Sequence, residues 1–340
     1  MPRAVMCHEL GPYQNLKLED VPALGKPSPG ELVVRIASAG LCFPDILVVL
    51  GKHVFSMEPP FTPCNEFCGT VTVVGEGCQL KPGDVVFGRS ATVNGTLRDE
   101  VNVHESVVYP APAGIDPHIL AGLETNYGTT IHALRDVAKL QPGERLCVLG
   151  ASGATGIAAI ELGKAMGATV VACASSPEKL AACKAVGADV LIDYSEPGFK
   201  GRLKKDAGGP LDVVYDPVGG EYSEVAMRAL GFGGRFLVIG FASGGTQPDR
   251  AIPRFPINLA LLNERQIQGV LWGTWKFKNP DANRRNINDL VAMLLTGKLR
   301  PKTPKVYPLE RFKEAMDLMM NRQAIGKICI DTTGNTASKL

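Results

Sequence analysis

No window of this 340-residue chain approaches 18 uninterrupted apolar residues, so no membrane-spanning helix is expected. The opening MPRAVMCHELG lacks the apolar centre of a secretory signal, and a cytoplasmic location is the expectation. An excess of charge is missing too. With 36 Lys+Arg against 34 Asp+Glu the net charge is +2, which offers little attraction for nucleic acid or an anionic membrane. Basic residues interleave with aromatics in WGTWKFK at 272–278 and nowhere else, which argues against a nucleic-acid surface. The nine cysteines are odd in number, scattered, and in several cases set in strand-like apolar runs. Reduced, buried thiols are therefore expected, and disulfides are not.

What is present suits a globular protein with a sizeable core. At 45% hydrophobic and 21% charged residues the chain has the composition of one, and its length points to two domains. Up to residue 109 it reads as short strands at 32–36, 68–74, 84–87, 101–103 and 107–109, broken by PSPG, GEG, KPGD and NGT. That pattern predicts a mostly antiparallel β domain with no helical period before Ile119. Between 116 and 139 the period becomes helical, interrupted by an expected turn at NYGTT, 126–130. From 145 onward strands at 146–149, 169–174, 190–193, 211–215 and 233–240 alternate with helices, the mark of parallel βαβ units. Later come a strand at 266–271, helices around 286–296 and 309–320, and a closing strand at 327–330 expected to return to the first β domain.

The stretch RLCVLGASGATGIAAIELGKAMGATVVACASSPEK, 145–179, carries the clearest chemistry. A buried strand runs into Gly150, Gly153 and Gly156, and a helix follows at once. Glycines let the backbone approach a pyrophosphate, and the uncapped amides and positive end of the new helix attract its charge. Ser152, Gly153, Ala154, Thr155 and Gly156 are thus candidate cofactor contacts. In such a fold an acidic residue ending the second strand binds the ribose 2′-hydroxyl of NAD, whereas its absence beside a cation favours the 2′-phosphate of NADP. Here the strand ends Ala174-Ser175-Ser176, with Lys179 in the next helix. Ser175, Ser176 and Lys179 predict NADPH, unless Lys179 is simply a solvated helix residue. Tyr194, after the third strand, is placed to flank the adenine or the phosphate.

Taken together, AGLCFPD at 39–45, PFTPCNEFCGTV at 60–71, KPGDVVFG at 81–88, NYGTTIHAL at 126–134, GASGATG at 150–156, YDPVGG at 215–220 and IGKICI at 325–330 resemble the zinc-free medium-chain dehydrogenase/reductase superfamily. Within it they are most similar to the quinone oxidoreductases of the zeta-crystallin type. The resemblance implies an α/β protein: a GroES-like β-barrel catalytic domain, 1–122 and 271–340, and a Rossmann doubly wound parallel sheet, 123–270, with the active site in the cleft between. Zinc-dependent relatives use Cys, His and Cys as catalytic ligands, and those positions are Cys42, Asn65 and Asn126 here. Asparagine is a poor zinc ligand and one thiolate cannot supply three, so no zinc is expected. The cysteine-free stretch 89–104 likewise leaves out the structural zinc lobe, and Cys64 and Cys68 read as small core residues.

The resemblance implies NADPH-dependent, metal-free reduction of quinones or activated carbonyl compounds, in which conjugation spreads the incoming charge. The candidate catalytic groups are His53, Cys42, Asn65 and Asn126. The family usually has Tyr and Asn at the positions of His53 and Cys42, so this chain departs at both. His53 is a proton donor or an exposed loop residue; Cys42 is a pocket thiol or packing. Thr129, Gly240, Phe241, Ala242, Leu271 and Trp272 resemble the remaining cofactor contacts. Trp272 and Trp275 either wall a flat substrate or pack the core. A homodimer through the Rossmann edge strand at 266–271 follows by resemblance. Two other readings stay open: reduction of an enone, 2-alkenal or enoyl-thioester, and an NADPH-binding structural or RNA-associated protein with little catalysis.

Overall fold

The computed structural model describes residues 1–53, 55–90, 95–245 and 252–334. The chain divides into two compact units, Met1–Thr125 with Lys302–Leu340, and Asn126–Pro301. Walking along the first, β1 (Arg3–Met6) pairs antiparallel with β2 (Lys17–Asp20), and β3 (Glu31–Leu41) leads into helix α1 (Phe43–Val49). Then come β4 (Glu66–Val74), β5 (Val85–Arg89), β6 (Glu100–His104), β7 (Val108–Pro110) and helix α2 (Pro117–Leu120). The antiparallel expectation holds: β3 pairs with β4 and β6, β4 with β5, and β5 with β7.

The helical pattern after residue 116 needs a correction at NYGTT. Residues 126–130 are helical and make no turn: π-wound segments Leu123–Tyr127 and His132–Val137 flank α3 (Gly128–Ile131). The reason is packing. A Cβ on Gly128 would lie 3.1 Å from the Trp272 ring, so the glycine there admits an indole. Helix α1 has no counterpart in the sequence pattern. It is only seven residues long, and Cys42 and Asp45 cap it, the Asp45 carboxylate accepting the Cys42 N–H at 2.7 Å.

The second unit alternates as expected: β8 (Arg145–Val148), α4 (Ala154–Ala165), β9 (Thr169–Ala174), α5 (Pro177–Ala185), β10 (Val190–Asp193), α6 (Phe199–Asp206), β11 (Leu211–Asp216), α7 (Glu221–Ala229) and β12 (Leu230–Val238). A short α8 (Asn258–Leu261), β13 (Gln266–Gly269), α9 (Trp272–Lys278) and α10 (Pro280–Leu295) complete it. The strands form one sheet in the order β10-β9-β8-β11-β12-β13, parallel at every pairing. The order reverses between β8 and β11, and that switch point is where such sheets take their ligand.

The second compact unit runs on past 271, to Pro301. Helices α9 and α10 belong to the second unit, because the Trp272 indole N–H donates to Asn283 at 3.0 Å and the Asn286 side chain donates to Asp136 at 2.9 Å. The chain returns to the first unit with β14 (Lys305–Pro308), α11 (Phe312–Met320) and β15 (Ile328–Asp331). As expected, the closing strand pairs antiparallel with β3. All nine cysteines are free, seven of them buried.

Candidate functional site

In the second unit the glycine loop is tied to both strands beside β8. Leu149 N–H donates to the Tyr215 carbonyl and Ala151 N–H to the Cys173 carbonyl, each at 3.0 Å. Gly150 turns at φ +57°, and Gly156 lies so close that a Cβ there would come within 2.5 Å of the Gly150 carbonyl oxygen. Helix α4 then begins with no side-chain cap at Gly153. A Cβ on Gly153 would meet only the Gly150 oxygen, at 3.4 Å, so the cradle has space above it. Its amides suit a diphosphate.

At the end of β9 the predicted trio converges. Ser176 caps α5, its hydroxyl accepting Lys179 N–H at 3.3 Å, and Lys179 Nζ donates to Ser175 Oγ at 3.0 Å. Each serine hydroxyl keeps its own proton to donate, so two O–H groups and one ammonium share the strand end. Tyr194 N–H donates to the Ala174 carbonyl at 3.1 Å, which holds that residue next to the trio. Its ring packs on Tyr222, centroids 4.4 Å apart, with Phe199 edge-on. The corner thus sets hydrogen-bond donors and a cation beside a group of aromatic rings.

The remaining predicted contacts divide. Gly240 and Ala242 are anchored by their N–H groups to the carbonyls of Asp216 and Pro217, with Phe241 partly exposed between them. The Asp216 carboxylate in turn accepts from Val218 N–H, Gly219 N–H and Ser223 Oγ, shaping the loop on which 240–242 rest. Thr129 is half-buried and Asn126 buried on the helix after residue 123. Leu271 is exposed, whereas the Trp272 side chain packs inside, against Gly128, and Trp275 stacks on His132 at 3.9 Å. Trp272 thus displays the core-packing alternative, whereas Trp275 is half-buried and stacks on His132 outside the core.

The first unit holds a buried polar cluster of which the sequence points to only a part. Cys42 and Asn65 are joined by Asp45, Glu66 and Lys327. Lys327 Nζ lies 2.6 Å from a Glu66 oxygen and 3.1 Å from Cys42 Sγ, while Cys42 Sγ donates to Glu66 at 3.2 Å. Asn65 Nδ2 donates to Asp45 at 3.1 Å, and Thr125 N–H donates to the second Glu66 oxygen at 2.6 Å. Burial alone would drive Lys327 toward neutrality, but the Cys42 sulfur and Glu66 hold it above the ordinary lysine value. Burial likewise opposes the Glu66 charge, and Lys327 and Arg89 outweigh it, lowering the carboxyl. Burial pushes the Cys42 thiol up and Lys327 offsets this only in part, so the sulfur is a neutral thiol with its proton turned to Glu66. A charged residue opening an apolar strand, as Glu66 does in EFCGTVTVV and Lys327 just before ICID, was the available signal. His53 stands apart, half-buried, its ring nitrogen bonded to the Phe55 backbone.

Zinc does not suit these donors. Cys42 is one thiol where three protein ligands are needed, it already faces the Lys327 ammonium, and Asn65 is bonded to Asp45. Among the described residues no group of three or more His, Cys, Asp or Glu could hold a metal ion. Cys64 and Cys68 are both buried, and burial pushes Cys68 up to about 12. No helix among the described residues is long and apolar enough to cross a membrane.

Residues 28–113 match the model of the alcohol dehydrogenase GroES-like domain, and residues 154–289 that of the zinc-binding dehydrogenases. The chain is 33% identical to quinone oxidoreductase-like protein 2 of Bos taurus, over 96% of this chain and 92% of that protein. It is 31% identical to a homolog of that protein from Nematostella vectensis, over 97% and 89%. The quinone oxidoreductase of Thermus thermophilus, solved also as its NADPH complex, superposes with a TM-score of 0.81 at 28% identity, over 97% of this chain and 100% of that one. The chain therefore belongs to the quinone oxidoreductase-like family of the medium-chain dehydrogenase/reductase superfamily.

Proposed function

We propose that the protein is an NADPH-dependent reductase of quinones or activated carbonyl compounds that works without a metal. The observation carrying the reading is the meeting of Ser175, Ser176 and Lys179 at the end of β9, one strand from the glycine loop. Three donors and no carboxylate among them favour a 2′-phosphate over a free ribose hydroxyl. The Thermus relative, of the same fold, was solved with NADPH.

When bound, NADPH supplies a hydride. Residues 152–156 hold the diphosphate, Ser175, Ser176, Lys179 and Tyr194 the adenosine end, and Thr129, 240–242 and Leu271 the rest of the dinucleotide. Trp272 acts from behind, by seating the helix that bears Thr129. His53, Cys42, Asn65 and Asn126 are assigned to the acceptor, with His53 giving the proton and the amides steadying the developing oxyanion. A conjugated acceptor delocalises that charge, so hydrogen bonds suffice where an isolated ketone would call for a Lewis acid. We assign the protein to the cytosol as a homodimer joined at β13. That strand is outermost in its sheet, and Ile257, Leu261, Leu262 and Ile267 in and before it are exposed at 83%, 81%, 54% and 44%.

The test is NADPH and NADH oxidation with 1,4-naphthoquinone, an ortho-quinone and a 2-alkenal, with and without a chelator. Turnover with quinones that prefers NADPH and ignores the chelator is expected. Faster turnover of the 2-alkenal would make the protein an enone reductase, and tight NADPH binding with no accepted substrate would make it a binding protein. Lys179→Ala is expected to raise the NADPH KM at least tenfold and leave that for NADH within twofold; equal changes would remove the phosphate assignment.

A further inference from the structure

Tyr215 is a tyrosine where a phenylalanine would pack. It lies on β11, the sheet's central switch-point strand, with no exposed surface. Burying a hydroxyl costs free energy unless it is bonded. Here it is bonded to Thr130 Oγ1 at 3.0 Å.

The donor order follows by elimination. Thr130 spends its single hydroxyl proton on the Asn126 carbonyl, at 2.7 Å, because a carbonyl can only accept. Thr130 oxygen must then accept from Tyr215. The result is a one-way string, Tyr215 to Thr130 to Asn126, in which the Thr130 hydroxyl donates once and accepts once. The Tyr215 carbonyl accepts Leu149 N–H at 3.0 Å where β8 enters the glycine loop, and Thr130 lies beside Thr129 on α3.

We propose that Tyr215 is a positioning residue: its hydroxyl sets the helix bearing Asn126 and Thr129 at a fixed distance from the glycine loop. It touches neither cofactor nor acceptor. This rests on the NADPH reading above, in which the two segments hold opposite ends of the same dinucleotide. Because the string joins those ends, its loss leaves the adenosine end in place and misplaces the reacting end.

Tyr215→Phe in the full-length protein removes the hydroxyl and keeps the ring. Expected are a Kd for 2′,5′-ADP within twofold of wild type, a fall in kcat with 1,4-naphthoquinone of five- to twentyfold, and a changed fluorescence yield of bound NADPH. Thr130→Val is expected to do the same, the double variant to be no worse than either single one, and Thr130→Ser to recover most of kcat. The proposal is overturned by a kcat for Tyr215→Phe equal to wild type, by 2′,5′-ADP affinity falling in step with kcat, or by Thr130→Ser failing as Thr130→Val does. If wild type itself binds no NADPH, the underlying reading falls and this one with it; where wild type binds and turns over, a failure belongs to Tyr215 alone.

Discussion

Lys327 and Glu66 stand 261 residues apart in the chain and meet at 2.6 Å with almost no exposed surface. Such a pair adds little over two well-packed apolar residues, but removing one partner strands the other's charge. Lys327→Met is accordingly expected to cost about 3–5 kcal/mol at pH 7 by denaturant unfolding. The pH dependence has a definite sign. Glu66 is lowered in the native state, so the stability it contributes is present above the ordinary carboxylate value and is lost as pH falls through the lower native one. Lys327 is raised, so its contribution persists to strongly alkaline pH. In Lys327→Met, Glu66 keeps burial and loses its cation, so its carboxyl moves up and can escape the penalty by protonating. The gap between wild type and variant should therefore narrow from pH 7 toward pH 5. A gap that stayed constant would mean that Glu66 does not depend on Lys327.

At the level of elements, Gly156 decides how α4 leaves the sheet. A methyl group there would sit 2.5 and 2.6 Å from the Gly150 and Ala151 carbonyl oxygens, backbone atoms that cannot turn aside. Gly156→Ala is expected to lower NADPH affinity more than tenfold and to destabilise the fold by about 2 kcal/mol or more, read by cofactor titration and thermal unfolding. This loop is legible in the sequence because its strand, glycines and helix are contiguous, and 169–174 and 190–193 match β9 and β10 to the residue. Gly128 misleads for the opposite reason. Glycine punctuates turns, but its partner here is Trp272, 144 positions on, and local pattern carries no trace of it. The short β1, β2 and β14 escape a sequence reading because RAVM, KLED and KVYP are broken by charged residues or proline and lack the apolar run that marks the equally short VLID of β10. Cys42 and Asn65 stand out through resemblance, whereas Glu66 and Lys327 need the fold to bring them together.

Across the whole molecule, exposed apolar residues gather before and on β13 among the described residues, and the proposed homodimer would cover them. Leu261→Asp with Ile267→Lys is expected to give a monomer by light scattering while the NADPH Kd stays within threefold. A dimer that survived both charges would move the interface elsewhere. The return of the chain to β15 has a different consequence. Strand β3 is made early and its neighbour on that side is made last, after the entire second unit. During synthesis the first sheet must wait with an open edge for nearly three hundred residues, and Glu66 waits 261 residues for Lys327. The second unit, contiguous in sequence, can close first. The first to be translated is thus the last to be finished, and its unfinished state is where a chaperone has reason to bind.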